Sequence, residues 1–124
     1  MEVILDTSFI LTCIKEKIDF LEAEDYGELV LPMQVLEELD RFQDKGELKE
    51  REQAKLALDI IEKNKGKFKV VDLEKKFVDA GIKSYVKGKK GKIIVASLDA
   101  ELKRELRGKA RILTIRARKK LMLE

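Results

Sequence analysis

The 124-residue chain contains no histidine, no tryptophan, one cysteine and one proline. Without histidine, general acid/base chemistry on imidazole and the Ser-His and Cys-His nucleophile pairs are excluded. With Cys13 alone, neither an internal disulfide nor a zinc ribbon or finger can form, and its setting in "ILTCIK" reads as a small buried residue. Long apolar runs are missing as well. Nowhere does the chain approach the roughly 20 consecutive apolar residues that a bilayer span requires. The opening "MEVIL" is strand-like, without the basic start and long apolar segment of a secretory signal. These absences lead us to expect a cytoplasmic protein with no membrane partner. They also mean that any hydrolytic chemistry must rest on carboxylates, and so on hard metal ions.

What is present supports one domain spanning residues 1–124, with 44% hydrophobic residues for a core and 41% charged residues for a surface. The Lys- and Glu-rich composition resembles that of a thermophile protein. Net charge is only +3, but residues 1–62 hold 7 Lys/Arg against 17 Asp/Glu while residues 63–124 hold 20 against 7, which is −10 beside +13. Such asymmetry suits an acidic site region next to a basic surface that tracks a polyanion; a harmless spread of charge after folding is the plain alternative.

The chain shows no repeat, linker or low-complexity tract. Apolar runs predict strands at "EVIL", "ELVLP", "KFKVVDL", "KIIVAS" and "RILTIR". Between them lie helical patterns: one or two across roughly 8–25, "MQVLEELDRFQD", "KEREQAKLALDIIEKN", a helix near 78–87 and "DAELKRELR"; the tail "KKLMLE" fits either state. This alternation predicts an α/β fold, a single doubly wound domain with a parallel sheet of about five strands and helices on both faces. In such sheets ligands bind outside the carboxyl ends of the strands.

Acids come after those strands. Asp6 stands directly after the first, Asp99 shortly after the fourth, Glu38 sits in the helix after the second, and Asp79 after the third. At about 100° per residue, Val35, Leu36 and Leu39 define a buried face with Glu38 and Phe42 at its border, whereas Glu37 and Asp40 point to solvent. The same arithmetic puts Asp79 on the side of Ile82 and Val86, and Asp99 beside Leu102 and Leu106. Singly, the three aspartates read as helix N-caps and Glu38 as a boundary residue. Together, four converging carboxylates repel one another unless cations neutralise them, which points to a divalent metal site.

The motifs "ILDTS", "VLEEL", "VDAGI" and "IIVASLDAELKRELR" resemble those of PIN domains, a metal-dependent ribonuclease fold, over nearly the whole chain. The last segment is closest to the ribosome-assembly branch of archaeal and eukaryotic PIN proteins. The resemblance implies a catalytic and metal-binding quartet of Asp6, Glu38, Asp79 and Asp99, with Ser97 as the small hydroxyl residue that orients it. Asp6 and Asp99 would be direct ligands, while Glu38 and Asp79 would bind directly, through water, or orient the nucleophile. Two positions depart from the family's pattern: Leu98 stands where many members have Asn, and Ala80 where some have a second acid. The implied reaction is endonucleolytic RNA hydrolysis with one or two Mg²⁺ or Mn²⁺ ions, leaving 5′-phosphate and 3′-hydroxyl ends.

The implied partner is RNA in single-stranded or loop regions, with ribosome-assembly factors or a second copy of the chain as further partners. Lys103, Arg104, Arg107 and the "KGKKGK" loop are the candidate phosphate contacts. Ribosomal RNA maturation, a toxin-type nuclease and a non-catalytic RNA-binding module all remain open. A phospho-accepting receiver domain, with Asp72 as acceptor, is the alternative from another class; it lacks an acidic pair after the first strand, since Asp6 is followed by Thr7.

Overall fold

The structure is a computed structural model that describes residues 1–117 and 119–124. Its centre is β1 (Glu2–Leu5), where Val3, Ile4 and Leu5 are completely buried, as a strand covered on both faces requires. β2 (Glu28–Pro32) and β4 (Ile93–Ala96) flank it in parallel, and the full order is β3-β2-β1-β4-β5-β6. Five strands are parallel, as the alternating pattern predicts, including β3 (Phe68–Val71) and β5 (Arg111–Arg116). The tail adds a sixth strand, β6 (Lys120–Leu123), antiparallel to β5 in a register of Leu113 with Leu123 and Arg116 with Lys120. So short a connection permits only a hairpin, because a parallel return needs a crossover of a dozen residues or more.

The helices occur where periodicity places them: α1 (Thr7–Glu16), α2 (Met33–Lys45), α3 (Leu48–Lys63), α4 (Val78–Lys87) and α5 (Ala100–Leu106), with a 3-10 segment at Phe20–Tyr26. Phe9, Ile10 and Cys13 turn α1 onto the sheet, and burial pushes the Cys13 thiol up to about 12, helped by the charges of Asp19 and Glu22. Val35 and Leu39 are fully buried on α2, while Glu37 and Asp40 are exposed and Glu38 is half-buried, as the helical register predicts. Removing a side chain such as Leu39 from this core costs about 2–5 kcal/mol.

The strand order matters most for the site. From β1 the chain builds outward to β2 and β3, then crosses back to lay β4 on the other side of β1. The order therefore reverses between β1 and β4, and the two adjacent strand ends open a crevice at their carboxyl edge. Asp6 and Ser97 are the first residues beyond those two strands.

Candidate active site: a carboxylate cleft

Asp6 prolongs the pairing of β1 with β4 by one step, its N–H donating to the Ala96 carbonyl at 2.9 Å. This brings its carboxylate under cover at 4% exposure. Three donors make that burial tolerable: Thr7 N–H gives to Oδ1 at 2.9 Å, and the hydroxyls of Ser8 and Ser97 give to Oδ2 at 2.9 and 2.7 Å. They do not offset it fully. Burial raises the pKa of Asp6 above the ordinary 3.8 against the pull of these bonds, and the Glu38 charge adds to the rise.

Ser97, fully buried, links two acids. Its Oγ donates to Asp6 and accepts the Asp99 N–H at 3.1 Å. Asp99 caps α5 through Oδ1, which accepts from Glu101 N–H at 2.9 Å and Leu102 N–H at 3.1 Å, so the cap leaves Oδ2 unused. Cap and site are thus compatible readings of one residue, and Asp6 combines them too, as N-cap of α1. Glu38 is tied in by the Thr7 hydroxyl, which donates to its Oε1.

Asp79 lies in the first turn of α4, whose N-cap is Phe77, so the capping alternative does not hold for it. Its side chain is exposed at the cleft rim rather than turned inward with Ile82 and Val86, because it lies one helical position from buried Val78. Partial loss of hydration raises its pKa, the charges of Asp6 and Asp99 raise it further, and Lys83 opposes them. All four acids line a single cleft of about 520 Å³, together with Thr7, Ser8, Leu11, Phe42, Phe77 and Val78.

Thr7 and Ser8 stand in "DTS" beside Asp6, yet the sequence alone assigns them no role. Their roles depend on partners distant in the chain: Ser8 Oγ also accepts the Leu98 N–H at 3.1 Å, and Thr7 reaches α2. Gln34 is another residue that pattern alone misses. Buried on α2, it donates to Asp72 at 2.8 Å and accepts the Leu73 N–H at 3.1 Å, pinning the loop between β3 and α4. Asp72 belongs to this clamp and lies outside the cleft, which leaves the receiver reading without an acceptor.

The basic residues divide. Lys103, Arg104 and Arg107 line a groove with Arg111 and Glu124 that reaches Ala100, the neighbour of Asp99, and shares no lining residue with the carboxylate cleft. The "KGKKGK" loop runs into the amino end of β4, so it lies at the edge of the sheet opposite the acids, where Lys89 pairs with Glu2 at 3.1 Å. A parallel sheet keeps its two edges apart: segments entering the strands gather at one, and segments leaving them gather at the other. A groove that the sequence did not suggest, lined by Lys75, Lys83, Lys87 and Lys109, adjoins Ala80, the neighbour of Asp79.

Among the described residues, no group of three or more acidic, cysteine or histidine side chains is gathered tightly enough to hold an ion as it stands. The donor chemistry nevertheless fits a hydrated hard cation. Mg²⁺ keeps several waters and takes one or two protein carboxylates, and oxygen donors suit Mg²⁺ and Mn²⁺. The mutual repulsion that helps raise Asp6 and Asp79 is what such a cation would relieve.

A doubly wound sheet with carboxylates at its switch point defines a class of acid-site α/β domains, and a family match makes the class specific. The model described as PIN like domain matches residues 3–120, and the chain belongs to that family. Among solved structures, the fold is similar to that of the PIN domain endonuclease Utp24, with a TM-score of 0.78 and 26% identity over 99% of this chain and 90% of that one. No curated protein sequence matches the chain.

Proposed function

We propose that the protein is a divalent-metal-dependent endoribonuclease that hydrolyses RNA phosphodiester bonds in the carboxylate cleft. The observation that carries this reading is the convergence of Asp6, Glu38, Asp79 and Asp99 on one cleft, from four separate segments of the chain. Likeness to a PIN domain endonuclease supports it. Bound Mg²⁺ or Mn²⁺ would supply a water of lowered pKa and charge neutralisation at the phosphate. Asp6 and Asp99 would hold the ion. Ser97 fixes both, orienting one carboxylate and the backbone that carries the other. Glu38, held by the Thr7 hydroxyl, and Asp79 at the rim would orient the attacking water. Water attack at phosphorus with departure of the 3′ oxygen leaves a 5′-phosphate and a 3′-hydroxyl. The α5 segment "LKRELR" carries the resemblance to ribosome-assembly members, and we extend the proposal to ribosomal RNA maturation on that ground.

The test is cleavage of single-stranded RNA with Mn²⁺ or with EDTA, by wild type, Glu38→Gln and Glu37→Gln. EDTA and Glu38→Gln should each abolish most of the activity, while Glu37→Gln, which removes the same charge from an exposed position, should leave it nearly intact. Full activity in EDTA, or equal effects of the two glutamines, would overturn the reading.

A further inference from the structure

Phe77 is 68% exposed, the highest value among the large hydrophobic side chains of the described residues and the only aromatic one in that exposed set. An isolated exposed Leu or Met is ordinary on a protein surface. This ring is different in its location, because it lines the carboxylate cleft, where Phe42 and Leu11 give a half-buried apolar floor. The other strongly exposed hydrophobics, such as Leu48 and Leu56, do not line it.

The backbone beneath the ring is fixed. Phe77 is the N-cap of α4, and its carbonyl accepts the Gly81 N–H at 3.0 Å. Gly81 in turn rests against Leu73, whose own N–H is held by Gln34. A clamped loop therefore presents an exposed phenyl ring two residues before Asp79, with the Lys76 ammonium over one face at 5.6 Å from the ring centroid and Lys75 one residue further back. The cleft has an acidic wall and an aromatic wall, and its 520 Å³ lies within the range of small-ligand sites.

We propose that Phe77 is a stacking platform for an unpaired nucleobase adjoining the scissile phosphate, with Lys76 beside it facing the backbone. This deepens the nuclease reading and rests on it. Every base offers a π-face, so the platform tolerates any sequence. A base within a duplex is already stacked on its neighbours, so the platform selects single strands and loops.

The chain has no tryptophan, so Phe77→Trp installs a unique fluorophore. The probe is a labelled decaadenylate, with versions carrying one abasic residue at each position in turn, and Ca²⁺ as the divalent ion. RNA should quench the fluorescence of the introduced indole, and Phe77→Ala should weaken binding about 5- to 150-fold, the range of one stacked base. An abasic residue at one position should cost wild type a similar factor and cost Phe77→Ala nothing more. Because the side chain is exposed, Phe77→Ala should melt as wild type does, and a melting curve checks this. Unchanged affinity in Phe77→Ala, equal losses on intact and abasic probes, or no binding of the probe at all would overturn the proposal; the first of these would leave the ring free for a protein partner. Quenching in a protein that never cleaves RNA would leave the platform standing and defeat the nuclease reading, whereas metal-dependent cleavage unaltered by Phe77→Ala would do the reverse.

Discussion

Replacing Asp6 by Asn separates a metal ligand from a helix cap. The amide oxygen can keep the bond from Thr7 N–H, so the start of α1 is preserved, and Asn caps about as well as Asp. The new NH₂ would face the hydroxyls of Ser8 and Ser97, which accept as readily as they donate. What disappears is a buried charge near Glu38. In EDTA the variant should therefore melt level with wild type or above it. With Mn²⁺ the order should reverse. An ion at 100 times its dissociation constant, bound only by the native state, adds about 2.7 kcal/mol. For a domain of this size that is on the order of 10 °C in Tm. Scanning calorimetry of wild type, Asp6→Asn, Asp99→Asn and the exposed-site control Glu37→Gln, each with Mn²⁺ and with EDTA, reads the difference. Wild type and the control should gain the full shift, and the two Asn variants should lose most of it. Equal shifts in all four proteins would show that Asp6 and Asp99 serve only as caps.

A Cβ at Gly81 would lie 2.7 Å from Leu73; overpacking costs about 1–3 kcal/mol, against about 1 kcal/mol that alanine's helix propensity returns. The net loss of up to about 2 kcal/mol should lower the Tm of Gly81→Ala by up to several degrees and reduce cleavage, because α4 carries Asp79; a variant melting above wild type with full activity would show that Leu73 yields at no cost. The raised pKa values of Asp6 and Asp79 predict a pH effect in metal-free protein. The folded state binds their protons more tightly than the unfolded one, so their charge penalty is full above the raised values and fades as pH falls toward 3.8. The melting advantage of Asp6→Asn over wild type in EDTA should accordingly be greatest near neutrality and shrink on acidification, and an advantage independent of pH would refute it.

Much of this protein is local information. Apolar runs of strand length alternating with 3.6-residue periodicity define the five parallel strands and the helices between them, because burial on two faces or on one stripe leaves that imprint in any chain. The preference for Glu38 over Glu37 is of the same kind, a matter of angle around one helix. Chain direction also placed the acids together, since each comes after a strand of a parallel sheet. The same rule puts the "KGKKGK" loop, which precedes β4, at the far edge, so its lysines carry a charge pattern without a location near the acids.

The tertiary structure decided which elements became neighbours. Ser97 meets Asp6 across 91 positions only because β4 returns to the side of β1, and Thr7 reaches Glu38 only because α2 packs beside α1. Gln34, one polar residue among many in its helix, became the clamp of a loop from another part of the chain. The tail became a strand because β5 offered it an unpaired edge, and Asp79 remained at the rim because its helix buries Val78 instead. Phe77 was left exposed where its apolar character alone would bury it. Periodicity records how a residue meets its own element's environment, whereas long-range contacts arise from crossover and packing, which no local pattern encodes.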